Sequence, residues 1–80
     1  MSIKDIAGSN VRGFRKIIGL SQVKFAEIAG LNRSYIASVE RGEVNLTIES
    51  LERIATIIGV PPHVLLIEKS FQWAIVKDRI

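Results

Sequence analysis

Glycines at Gly19, Gly30, Gly42 and Gly59 cut this chain into pieces of helical length, and most of the pieces open on a residue that caps helices. Apolar residues recur within each piece every three or four positions, the period of an amphipathic helix. The first helix is expected from about Asn10 to Ile18, opening at Ser9 or Asn10. Val11, Phe14 and Ile18 form its stripe and Gly13 is its weak point. The second opens on Ser21 and stops at Gly30, burying Phe25, Ala26, Ile28 and Ala29. Asn32 caps a third that ends at Gly42. Thr47 caps a fourth, with Ile48, Leu51, Ile54, Ala55 and Ile58 in one stripe up to Gly59.

A fifth helix begins at Pro61-Pro62, since proline suits a first turn, and includes Val64, Leu65 and Leu66. No breaker interrupts Glu68–Lys77, so the preferred reading continues this helix. Phe71, Trp73 and Ile75 alternate with Gln72 and Ala74, which leaves a half-buried strand as the other reading. The expectation is an all-α, five-helix bundle forming one domain over residues 1–80, its tail helical or strand.

Composition narrows the function. The 80 residues contain no cysteine, which removes a disulfide framework, a thiolate metal site and a thiol nucleophile. The single histidine, His63, follows two prolines, and no carboxylates pair at ligand spacing. Single glycines at helix ends are not a phosphate loop. An enzyme is therefore rejected, and no metal, cofactor or small-molecule ligand is expected. No apolar run approaches the ~20 residues of a membrane span. The opening MSIKDIAGSN lacks the pattern of a secretory signal, so a cytoplasmic protein without a membrane partner is expected.

The net charge of +3 is unevenly spread. Residues 1–41 carry seven Lys/Arg against three acids, whereas residues 42–80 carry four against five. The third helix gives that basic half a geometry. On a wheel of about 100° per residue starting at Arg33, the residues Ala37, Arg41, Ser34 and Ser38 fall within about 140° of one another. Val39, Ile36 and Glu40 fall outside that arc, at about 240°, 300° and 340° on the same estimate, with Tyr35 at the seam. Long Glu, Lys or Gln side chains, usual on a solvated face, are missing from positions 34, 37 and 38, so this face can approach another surface closely. Arginine at the first turn suits guanine, and short hydroxyls suit base edges or phosphates in a major groove.

Gly30-Leu31-Asn32 joins the second and third helices with the spacing of a DNA-binding helix-turn-helix. The segment LSQVKFAEIAGLNRSYIASVERGEVNLTIESLERIATIIGVP resembles the Cro and phage-repressor class, also called the xenobiotic-response-element family, over about Val11 to Leu66. Within it, Asn32-Arg33-Ser34-Tyr35-Ile36 through Asn45-Leu46-Thr47 is similar to controller proteins of bacterial restriction-modification systems. The resemblance implies a transcriptional regulator that binds double-stranded DNA. Gln22 would anchor a phosphate with the amides at its helix N-terminus. Arg33, Ser34 and Ser38 match base-reading positions, and Tyr35, Arg41 and Asn45 lie near the backbone or groove edge. Arg15 and Glu40 match a structural ion pair. Gly13, Lys24 and Val44 depart from the family pattern, the last where controllers often carry arginine.

The family also implies a homodimer on a pseudo-palindromic operator. Residues 61–80 offer its interface, since Val64, Leu65, Ile67, Phe71 and Trp73 belong to an apolar surplus that one terminal helix would not bury alone. The other reading folds this tail over its own core. Activation would add RNA polymerase as a partner, with Glu27, Glu43 and Glu49 as candidate contacts. A rival reading, an antitoxin-like interaction module that keeps the fold without reading DNA, stays open because fold does not fix function.

Overall fold

A computed structural model describes residues 2–73. Among them, α1 spans Ile3–Ile17, α2 Gln22–Ala29, α3 Arg33–Glu40 and α4 Ile48–Ile58, followed by a 3-10 helix over Pro62–Leu66. A last helical turn covers Phe71–Trp73, and no strand occurs among the described residues. The all-α expectation is met. Ile75 and Val76 of the expected tail lie outside the described residues.

Three caps form as the sequence indicates. Ser21 Oγ accepts from the Lys24 amide, Asn32 Oδ1 from the Ser34 amide, and Thr47 Oγ1 from the Ser50 amide, at 3.1, 2.7 and 3.0 Å. Each satisfies an amide that the first helical turn leaves unpaired. Gly30 and Gly59 close α2 and α4 at φ of 68° and 86°, where a Cβ would be strained.

The first helix corrects the expectation, beginning at Ile3 instead of near Asn10. Ser2 is its cap: Ser2 Oγ accepts from the Asp5 amide, and the Asp5 carboxylate accepts from the Ser2 backbone in return. Ser9 and Asn10, where the helix was expected to open, lie in its interior, as does Gly8. Gly8 is there because α1 crosses α3 closely, and a Cβ at this position would run into the Val39 carbonyl oxygen. Asn10 is fully buried and acts as a clamp, its Nδ2 donating to the carbonyls of Leu65 and Ile67 at 2.8 Å each.

That clamp lies where the fifth helix stops. The 3-10 helix ends at Leu66, and three carbonyls around its end accept side-chain donors: Leu65 and Ile67 from Asn10, and Val64 from the Ser70 hydroxyl at 2.6 Å. The chain turns at Lys69, whose φ of 60° is left-handed and helix-breaking. Phe71 then lies across Gly13, where an added Cβ would meet its ring. Gly13 is thus a seat for an aromatic ring on α1.

The core gathers Val11, Phe14, Phe25, Ala26, Ile36, Val39, Ile54, Ala55 and Leu65, all buried. Three residues expected to be buried are not part of it: Ile18, the C-cap of α1, is 38% exposed, Ile28 51% and Ile48 85%. The tail divides likewise. Leu65, expected at a dimer interface, is fully buried inside its own chain, and Val64 and Phe71 pack half-buried against the same core. This corrects Leu65 outright and ties part of the surface of Val64 and Phe71 to the monomer. Ile67 and Trp73 remain exposed.

Candidate nucleic-acid interface

The third helix is short, and α1 and α2 set its placement. Ile36 and Val39 are buried against these neighbours. Glu40 closes the helix at the end where the backbone dipole disfavours a carboxylate, so its partner must come from elsewhere. Arg15 supplies it. Nε donates to Glu40 Oε2 at 2.7 Å and Nη2 to Oε1 at 3.1 Å, a bidentate fork on the carboxylate. The side chains are only 11% and 3% exposed. Arg15 Nη1 also donates to the Leu20 carbonyl at 2.8 Å, fixing the turn into α2. The expected ion pair therefore joins three elements.

Gln22 extends this network. Its Nε2 donates to Glu40 Oε1 at 3.0 Å. An amide nitrogen carries two hydrogens. Glu40 thus holds one and orients the other, next to the free amides at the start of α2.

Arg33 and Ser34 stand exposed on the first turn of α3, with Ala37 and Ser38 half-buried behind them. Arg33 takes part in none of the ion pairs among the described residues. Arg41 is less free: its Nε donates to Glu43 at 2.9 Å and its Nη2 to Ser38 Oγ at 3.3 Å. These bonds tie Ser38 and Arg41 into one unit at the helix end.

Two residues that the resemblance puts near the backbone or groove edge have other surroundings in the fold. Tyr35 is half-buried against the core, and its hydroxyl accepts from the Thr47 amide at 3.4 Å, so it steadies the entry to α4. Asn45 lines a separate, mainly apolar groove with Ile3, Val44, Leu46 and Ile48. By contrast, Gln22, Ala37 and Arg41 line a single polar cleft of about 150 Å³ together with Arg15, Glu40 and Arg12. Arg12 was not singled out from sequence. It lies one helical turn before Arg15, within the helix expected there, but its place beside Gln22 and Arg41 depends on how α1 packs against α2 and α3.

Among the described residues, no group of three ligating side chains could hold a metal ion, and no helix is long and apolar enough to cross a membrane.

Comparison with known proteins gives consistent matches. The Helix-turn-helix family profile matches residues 11–65. Control protein C.SmaI of Serratia marcescens is 47% identical over 66 residues, 82% of this chain and 79% of that protein. The HTH-type transcriptional regulator SinR of Bacillus subtilis is 38% identical over 63 residues, 78% of this chain but 57% of the longer regulator. Among solved structures, the restriction-modification controller protein C.AhdI from Aeromonas hydrophila superposes with a TM-score of 0.74 at 35% identity, covering 78% of this chain and 94% of that one.

Proposed function

Because the chain belongs to the helix-turn-helix family of DNA-binding transcriptional regulators, of the Cro and phage-repressor type, we propose that it is a cytoplasmic controller protein of a restriction-modification system, reading its operator with α3. The observation that carries the reading is the pairing of an open α3 face with a locked α3 base. Arg33 and Ser34 are exposed at a capped helix start, while the opposite side is fixed by Ile36, Val39 and the Arg15–Glu40 pair. A reading helix needs both, since side chains discriminate bases only from a fixed position. Similarity to C.SmaI and C.AhdI supports the restriction-modification setting.

In this reading Arg33, Ser34 and Ser38 face base edges. Gln22 and Arg41 hold backbone phosphates on either side of them, and Tyr35 and Asn45 contribute at the groove edge. The protein acts as a two-fold dimer, with α3 of each copy in successive major grooves about 34 Å apart. Exposed Leu66, Ile67 and Trp73 supply apolar surface for that pairing. Contact with RNA polymerase, if the protein activates, falls to Glu49. Glu27 is paired with Lys24 at 3.6 Å and Glu43 with Arg41.

Arg33→Ala tests the assignment. It is expected to lower affinity for the operator by roughly 1–3 kcal/mol and to relax base choice at one position of each half-site, with random duplex bound nearly as before. Titration of both duplexes by fluorescence anisotropy checks this. An unchanged ratio of operator to random affinity would remove Arg33 from the reading surface.

A further inference from the structure

The helix before the helix-turn-helix carries a cation that neither the fold nor the ion pair uses. Arg12 lies three residues before Arg15 on α1, but Arg15 is drawn inward to Glu40 whereas Arg12 is exposed. Arg12 takes part in none of the ion pairs among the described residues. Gly8 brings α1 against the end of α3 at Val39, and Arg12, one turn further along α1, lines the polar cleft with Gln22, Ala37 and Arg41.

The charge in this cleft is unequal. Three guanidinium groups, of Arg12, Arg15 and Arg41, stand against one lining carboxylate, Glu40. That carboxylate is already occupied by Arg15 and by the Gln22 amide. Arg41 shares its charge with Glu43, outside the cleft lining. Arg12 is the cation left uncompensated. The methyl of Ala37 leaves the space between the arginines open. Planar guanidinium forks and an oriented amide N–H around a small polar recess match a tetrahedral oxyanion of the phosphodiester kind.

We propose that Arg12, with Gln22 and Arg41, forms a seat for a backbone phosphate of DNA, which makes α1 a third DNA-contacting element beside α2 and α3. This rests on the DNA-binding reading above. A phosphate contact fixes register and carries no sequence information. Its removal therefore weakens operator and random duplex by the same factor, unlike the loss of Arg33.

The test is the salt dependence of duplex binding by the full chain. Each neutralised phosphate contributes about 0.9 to the slope of log K against log salt on double-stranded DNA. Arg12→Gln is expected to lower the slope by about that amount for each bound chain, with an unchanged operator-to-random ratio and an unchanged melting temperature. Arg12→Lys is expected to retain most of the slope. Arg53→Gln, which makes the same charge change on α4 beside Gly30, is expected to leave it as in the unmodified chain. A steep slope that Arg12→Gln leaves intact overturns the seat alone. So does an equal loss from Arg53→Gln, which would mark a diffuse effect of net charge. An unmodified chain with no salt dependence overturns the DNA-binding reading and the seat with it.

Discussion

Arg15→Ala is expected to destabilise the folded chain by roughly 3–5 kcal/mol, the effect of removing one partner from a buried ion pair. The Glu40 side chain is 3% exposed, and Arg15 provides two of the three donors to its carboxylate, leaving the Gln22 amide alone. The same substitution frees the Leu20 carbonyl at the turn into α2. In a domain of this size each kcal/mol moves the melting temperature by about 4–8 °C. Thermal melting followed by circular dichroism should therefore show a fall of tens of degrees. DNA binding should vanish with the fold, whereas Arg33→Ala should lose discrimination at a nearly unchanged melting temperature. The double replacement Arg15→Met with Glu40→Leu should regain much of the lost stability, since the main penalty is the unpaired charge. A single variant melting like the unmodified chain would show that the pair does not hold α3.

Leu65→Ala is the second large effect, about 2–5 kcal/mol for emptying a fully buried leucine site. From sequence this residue was expected at a dimer interface, and the structure places it among Val11, Phe25 and Ile54 in the core of its own chain. Its carbonyl is also held by Asn10. The two locations predict different concentration dependence. Core burial gives the same loss at every protein concentration, whereas an interface residue gives a loss that shrinks as mass action restores the dimer. Urea unfolding over a hundredfold range of protein concentration checks this. The expected result is a midpoint shift, relative to the unmodified chain, that does not vary with concentration.

The helices were legible wherever local chemistry decided them. Ser21, Asn32 and Thr47 cap, and Gly30 and Gly59 terminate, for reasons contained in a few neighbouring residues. The Arg15–Glu40 pair was reached through family resemblance and through the placement of Glu40 on the core side of the wheel. What escaped depended on packing between distant segments. Asn10 resembles a helix start until the carbonyls of Leu65 and Ile67 are known to lie against it, and nothing local marks Gly8 as the seat of the Val39 carbonyl. Gly13 looks like a defect until Phe71 is placed over it. The break after Leu66 has no proline or glycine to announce it; it coincides with side-chain bonds from Asn10 and Ser70 to the carbonyls there and with the left-handed turn at Lys69. The Ser2 and Asp5 pairing was available in the sequence as a capping box, though with aspartate in place of the usual glutamate.

The candidate interface divides in the same way. Arg33 and Ser34 were reached through helix periodicity, the short side chains on that face and the family resemblance. The three-way contact of Arg15, Glu40 and Gln22, and the placement of Arg12 beside it, come from α1 crossing α3, which no single-helix wheel contains. Tyr35 and Arg41 were read as free to meet DNA. Their hydrogen bonds to Thr47 and Glu43 give each a structural tie as well.

The central claim is that the α3 face reads a particular DNA sequence. It is tested most directly by selecting bound duplexes from a randomised library with the full chain and sequencing them. The account predicts enrichment of a site with two related half-sites about one helical turn apart, bound by two chains. A selected pool no different in sequence from the starting library would contradict it.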